Sequence, residues 1–141
     1  MKIVQVCPRY YPYIGGVERT VKNISEYLAS MNHEVTVYAT DPSKTLPRIQ
    51  MINKVELRNY PALAPNETYY FPHPNMLFHL LRERTDVSHI HSVHDLTLLI
   101  GHTAHGLNRR PKFIVSPYYH MTGHTTFTQI LWAPYRAIVG K

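Results

Sequence analysis

The chain opens on a short apolar run, Lys2-Ile3-Val4-Gln5-Val6-Cys7, with the β-branched content of a strand. After a break, Val17, Val21, Ile24, Leu28 and Met31 recur at spacings of 4, 3, 4 and 3, which places them on one face of a helix. Glu18 falls in its first turn, where the helix dipole favours an acid. Asn32 stands where a left-handed residue would end it, a position glycine usually fills. Glu34-Val35-Thr36-Val37-Tyr38-Ala39 then alternates as a strand does. Strand, crossover helix and strand make a parallel βαβ unit, which is right-handed almost without exception.

The alternation continues to the end. Residues 41–53, with Pro42, Pro47 and few apolar positions, predict a loop. Lys54 to Tyr60 predicts a third strand. Residues 61–73 carry three prolines and the aromatic trio Tyr69-Tyr70-Phe71, and predict a long connection of the kind that carries function when ordered. Pro74 can start a helix at its first position, running through Met76, Leu77, Leu80 and Leu81. Val87-Ser88-His89-Ile90-His91 predicts a strand. Asp95 then caps a helix through Leu96, Leu99, Ile100 and Thr103, with Gly106 as its stop. Lys112 to Ser116 predicts another strand, followed by a loop over 117–127. A last helix spans Thr128 to Val139, divided by Pro134. No repeat or low-complexity segment interrupts this α/β order.

The chemistry concentrates first at Tyr11-Pro12-Tyr13-Ile14-Gly15-Gly16-Val17-Glu18, between the first strand and the first helix. Gly15 and Gly16 let the backbone turn sharply and let a ligand approach the main chain. The free N–H groups of the helix, Val17 included, then point at that ligand with the positive end of the dipole behind them. Such a turn suits a phosphate or a sugar that carries one.

This stretch closely resembles the opening of family 4 retaining glycosyltransferases, which have the GT-B fold. They often show a strand, a Pro-x-x-Gly-Gly-[Val/Ile]-Glu turn, a helix, and Gly-His-Glu-Val leading into the second strand. Here the order is Pro12-Tyr13-Ile14-Gly15-Gly16-Val17-Glu18, then Asn32-His33-Glu34-Val35, with Asn replacing Gly. The resemblance implies a Rossmann-like parallel sheet with helices on both faces, the N-terminal half of a GT-B fold, over residues 1–141. It also implies a C-terminal donor-binding domain, absent from this chain, that supplies an Arg/Lys pair for the diphosphate and a Glu-x7-Glu motif. The full enzyme would transfer a sugar from a nucleotide-diphosphate sugar to a glycan, lipid-linked or small-molecule acceptor with retention of configuration. The isolated domain would be inactive. Its tyrosines suit an acceptor site, since they stack on sugar rings and bond hydroxyls.

Composition is compatible with this. A chain of 141 residues with 44% hydrophobic content is one domain with a real core. A net charge of +6 points to an anionic partner, such as a nucleotide, a phospholipid surface or a nucleic acid, or to a basic surface with no partner. Cys7 is the one cysteine, which excludes an internal disulfide and fits a reducing cytosol. At the end of a strand it reads as a buried structural thiol. No run approaches a signal peptide or a membrane span, so the location expected is cytoplasmic, with peripheral contact at the inner face of the membrane. The sequons at Asn23 and Asn66 carry no meaning in that compartment.

Ten histidines raise the question of a metal. His89 and His91 share a strand face, and His94 and Asp95 follow. No compact Cys, Asp or Glu set accompanies them, so the reading is no metal. Asp86-Val87-Ser88-His89-Ile90-His91 resembles the Asp-x-x-His-x-His run that ends the fourth strand in these transferases, where the histidines face the interdomain cleft or pack beneath it. His33, His73, His79, His102 and His105 read as turn or surface residues. Ser116-Pro117-Tyr118-Tyr119-His120 closes a parallel strand, where ligands of open sheets bind. The resemblance assigns His120 as the catalytic histidine near the transferred sugar. Tyr11, His94, Tyr118, Tyr119 and His124 are candidate acceptor or cleft residues. The substrate is a nucleotide sugar, and no metal or other cofactor is expected, because protein charges serve the diphosphate.

Two other classes share some of these features. A dinucleotide-binding oxidoreductase domain has the same strand–turn–helix opening, but the Gly-x-Gly-x-x-Gly fingerprint is absent and Asp41 is a weak ribose ligand. A noncatalytic anion- or nucleic-acid-binding module would use the charge, Arg109-Arg110 and the tyrosines. The basic residues are scattered and no nucleic-acid motif occurs, so no nucleic acid is expected.

Overall fold

A computed structural model describes residues 1–65, 70–91, 96–108 and 110–118. The elements are β1 (Lys2–Cys7), α1 (Gly16–Ser30), β2 (Glu34–Asp41), β3 (Ile49–Ile52), β4 (Val55–Leu63), β5 (Phe71–Pro72), α2 (Asn75–Arg82), β6 (Val87–His91), α3 (Leu96–Leu107) and β7 (Lys112–Ser116). The sheet runs β3-β4-β2-β1-β6-β7, with β5 paired to β4 off this path. β4, β2, β1, β6 and β7 are parallel, and β3 and β5 are antiparallel to β4. The chain builds outward from β1 through β2 and β4, then returns to β6 on the other side. The order therefore reverses between β1 and β6, and their carboxyl ends form the crevice where such sheets take ligands.

Helices cover both faces. α1 packs on Cys7, Val35, Val37, Ala39, Val55 and Leu57. The opposite face carries Val4, Val6, Tyr38, Tyr60 and Ile90, under Met76 and Leu80 of α2 and Ala104 of α3. The strands follow from their runs of branched residues, buried on both sides as parallel sheets require.

The helices exist where periodicity predicts them, but their faces are rotated. In α1 the buried stripe is Glu18, Val21, Ser25 and Ala29, while Val17 and Leu28 flank it. Met31, expected on the stripe, is exposed. In α3 the buried residues are Thr97, Gly101 and Ala104, and Leu99 is exposed. Small side chains let a helix lie close on the sheet, and larger apolar ones wedge at its sides. A Cβ on Gly101 would stand 2.5 Å from Ile90 Cδ1, which shows how close that approach is.

The end of α1 follows the expectation. Asn32 has φ 63°. Its N–H donates to Ala29 O at 3.1 Å and His33 N–H donates to Leu28 O at 3.2 Å, the paired bonds of a Schellman motif. Residues 41–53 do not form the expected uninterrupted loop. β3 pairs with β4 through a turn whose central residues, Asn53 and Lys54, have φ 49° and 68°. Positive φ at both positions is the type I′ hairpin. Lysine at its second position hid the usual Asn-Gly signal. Gly106 lies inside α3 instead of stopping it. Asp95 and the helix expected over 128–139 lie outside the described residues.

Candidate active site

β1 delivers the chain to the crevice. Tyr10 is buried as an anchor, the Tyr11–Pro12 peptide is cis, and Tyr13 N–H donates to Tyr10 O at 3.1 Å. Tyr13 Oη donates to Asp41 Oδ1 at 3.0 Å, which ties the loop to the end of β2. Asp41 also accepts from Ser43 Oγ and from the Leu46 N–H. Burial alone would raise its carboxyl, but these hydrogen bonds outweigh it and hold it below the usual range. Asp41 is 2% exposed and committed to its own loop, so it does not present itself to a ribose.

Gly15 is the N-cap of α1, and no side chain caps that helix. Its φ of −161° is ordinary extended backbone, and no described glycine has positive φ. The reason for glycine here is space. A Cβ on Gly15 would run into the Glu18 carboxylate. At Gly16 nothing lies within 4 Å of a Cβ position, so that residue borders open room without backbone strain. Gly15, Gly16 and Val17 thus line the helix N-terminus at the mouth of the crevice, with Tyr11 exposed beside them.

The turn contains a pair that the sequence reading missed. Arg9 Nε donates to Glu18 Oε1 at 3.0 Å, and Glu18 is 9% exposed. The Arg9 guanidinium lies 5.3 Å from the Tyr13 ring centroid and 5.6 Å from that of Tyr70. A carboxylate therefore already faces the helix dipole, balanced by an arginine held between two rings. Opposite charges on either side of the two glycines were the available signal.

The end of β6 holds a buried polar group. His91 is fully buried; its Nε2 lies 2.5 Å from Gln5 Oε1 and its Nδ1 3.3 Å from Tyr118 Oη. His89 Nε2 lies 2.8 Å from Ser116 Oγ, and the two imidazole centroids are 3.9 Å apart. Burial lowers both histidines, and the neighbouring His89 lowers His91 further, to about 3. Both ring nitrogens of His91 have protein partners, which leaves no lone pair free for an ion. Among the described residues no three His, Cys, Asp or Glu side chains gather as a metal group. His91 packs beneath the crevice, as the strand-end reading allowed.

Tyr118 is half-buried just past β7 and meets this group through His91. Thr20 Oγ1 donates to Gly16 O at 2.9 Å. The fold brings Tyr118 onto His91 at the end of β6, the two rings stacked with centroids 6.0 Å apart. His94, Tyr119, His120 and His124 lie outside the described residues. A separate cleft of about 520 Å³ lies between β4 and α2, lined by Arg48, Arg58, Tyr60, His79 and Arg82 among others. It shares no residue with the glycine turn.

Besides Arg9, three basic residues are held in ion pairs among the described residues. Lys2 pairs with Glu34 and Glu83, Lys22 with Glu26, and Arg58 with Glu56 and Glu83. Among the described residues no helix is long and apolar enough to cross a membrane.

The profile of Glycosyltransferase Family 4 matches residues 14–141. No curated protein matches the chain significantly. Among solved structures, sucrose-phosphate synthase from Thermosynechococcus elongatus superposes with a TM-score of 0.53 at 14% identity. The match covers 97% of this chain and 37% of that one. At that identity the likeness speaks to the fold: an α/β, mostly parallel sheet of the GT-B, Rossmann-like kind.

Proposed function

Because the chain belongs to glycosyltransferase family 4, we propose that residues 1–141 are the N-terminal, acceptor-side domain of a retaining glycosyltransferase. The full-length protein transfers a sugar from a nucleotide-diphosphate sugar to a glycan, lipid-linked or small-molecule acceptor. The observation that carries this reading is the family's glycine turn standing at the point where the strand order reverses.

In the reaction the bond from the sugar C1 to the diphosphate oxygen breaks. The acceptor oxygen bonds C1 on the same face, and its proton leaves with the diphosphate. The charge that develops on the leaving group needs preorganised donors. On this side the N-terminus of α1 supplies backbone N–H groups across the open space at Gly16. His120 is the proposed catalytic histidine, with Tyr11, His94, Tyr118, Tyr119 and His124 as acceptor or cleft residues. A C-terminal domain supplies the basic diphosphate clamp, and no metal is needed. The enzyme works in the cytoplasm, in peripheral contact with the inner membrane surface where its acceptor is lipid-linked.

The test is a panel of UDP-, GDP- and ADP-sugars, and NAD, offered to the purified full-length protein. A nucleotide sugar should raise the melting temperature and turn over to the nucleoside diphosphate. Stabilisation by NAD alone would replace this reading with the dinucleotide-binding one, for which the committed Asp41 already speaks poorly.

A further inference from the structure

The cleft between β4 and α2 is lined by three arginines, Arg48, Arg58 and Arg82, and by one acid, Glu83. Like charges around one cavity repel each other unless something answers them. Glu83 is already committed: one carboxylate oxygen takes Lys2, and the other takes Tyr38 and Arg58. Arg58 is held as firmly. Its Nε donates to Glu56 and its Nη1 to Tyr38 Oη and Glu83, with the guanidinium over the Tyr38 ring. Its Nη2 has no partner among the described residues, which leaves two N–H donors on a fork fixed in place. Arg48 and Arg82 have no ion-pair partner among the described residues. The chain at Arg48 is pinned to β4, since the Asn59 N–H donates to Arg48 O at 2.9 Å and Asn59 Nδ2 to Pro47 O at 2.8 Å. Arg82 closes α2. Tyr60 Oη lies 2.8 Å from His79 Nδ1, so only Nε2 of that ring remains to meet a ligand.

We propose that this cleft is an oxyanion site, separate from the glycine turn, that takes a phosphate monoester. Arg48 and Arg82 supply charge that no acid of the cleft balances. Arg58 Nη2 supplies a fixed pair of donors, and His79 Nε2 a further polar contact. A planar guanidinium matches two phosphate oxygens at once, which an ammonium does not. At about 520 Å³ the cleft is larger than a bare phosphate needs and has room for the alcohol that carries it. That alcohol belongs to a soluble sugar or polyol phosphate or to a phospholipid headgroup, and the grip on the phosphate is the same for both. The site does not rest on the transferase reading.

Inorganic phosphate is the first probe. In the full-length protein the imidazole signals of His79, identified by their loss in His79→Gln, should move as phosphate is added at constant pH and ionic strength. Sodium chloride in its place should leave them still. The double variant Arg48→Gln/Arg82→Gln changes two exposed side chains and should keep the fold. In it the phosphate needed for half the shift should rise at least tenfold, the order expected for losing charged hydrogen bonds. Arg84→Gln removes an exposed cation outside the cleft and should titrate as wild type, as should Gly16→Val. Two further probes identify the source. Tighter binding of glycerophosphate than of phosphate marks a soluble ester. Sedimentation with phosphatidylcholine vesicles only when they contain phosphatidic acid, lost in the double variant, marks a headgroup. Binding of none of the three probes, or binding that the double variant leaves unchanged, would overturn the proposal. A protein that turns over no nucleotide sugar can still pass every one of these tests.

Discussion

At the scale of single residues, the adjacent glycines do different things. A Cβ on Gly15 would meet the Glu18 carboxylate that Arg9 holds, whereas Gly16 faces open room. Gly16→Val should therefore leave the melting temperature of the full-length protein unchanged and abolish transfer by filling the ligand's space. A wild-type rate in that variant would remove the turn from the mechanism. His120→Ala should lower kcat about a hundredfold or more, in the range of a positioned group acting on the transition state. The KM for the donor should change less. His124→Ala is the control, and the assignment is wrong if it proves the worse of the two. His91 makes a prediction in pH. Its native value of about 3 lies below the ordinary 6.5, so the native state stays neutral where the unfolded chain takes up a proton. The stability His91 contributes is complete above about pH 6.5 and drains as pH falls toward 3, by at most roughly 1.4 kcal/mol per pH unit. Urea unfolding at pH 7 and pH 4.5 should show a smaller loss in His91→Gln than in wild type. Parallel losses would place the acid sensitivity elsewhere.

At the scale of elements, close approach governs. Gly101→Ala would press a methyl into Ile90, 2.5 Å from its Cδ1, and should cost about 1–3 kcal/mol in chemical denaturation as α3 lifts from β6. Asn32→Gly should be neutral or stabilising at the left-handed end of α1, while Asn32→Val should cost about 1–2 kcal/mol. Glu83, just past α2, receives Lys2 Nζ at 2.7 Å, Tyr38 Oη at 2.8 Å and Arg58 Nη1 at 2.7 Å. Burial would raise its carboxyl, but Lys2, Tyr38 and Arg58 outweigh that and lower it. This knot ties α2 to β1, β2 and β4. Glu83→Ala should cost about 1–3 kcal/mol by removing the acceptor these three donors share, leaving Lys2 only Glu34 and Arg58 only Glu56. A loss below a tenth of that would show that the knot is only a surface ornament of the fold.

At the scale of the molecule, the switch between β1 and β6 organises everything that the site contains. It gathers the glycine turn, the buried histidines and Tyr118 at the carboxyl ends of the strands. The opposite half of the proposed reaction, the clamp for the diphosphate, is assigned to another domain. A purified protein of residues 1–141 should therefore show no turnover with any nucleotide sugar, and turnover would refute the division of labour. Transfer by the full-length enzyme should survive a chelator. Loss of activity that a divalent ion restores would bring the histidines back as ligand candidates.

Periodicity alone determined the strands Lys2–Cys7, Glu34–Asp41, Val87–His91 and Lys112–Ser116 to within a few residues, the helices between them, and the left-handed end at Asn32. These are local matters: branched side chains favour extended backbone, a repeated apolar spacing makes a helix, and a short polar residue tolerates positive φ. The motif Gly15-Gly16-Val17-Glu18 likewise marked the start of α1 without any coordinates. The tertiary structure decided what depends on neighbours distant in sequence. Which stripe of α1 faces the sheet is set by how close Ser25 and Ala29 let it come, and no count of hydrophobic residues along the chain carries that distance. Asp41, a weak ribose candidate by its place at the end of β2, is committed by Tyr13, Ser43 and Leu46 to its own loop. Which groups His91 meets was not legible either: Gln5, 86 residues away, takes one ring nitrogen and Tyr118 the other. A side chain's chemistry is set by which of its lone pairs and protons remain uncommitted, and only the packed fold commits them.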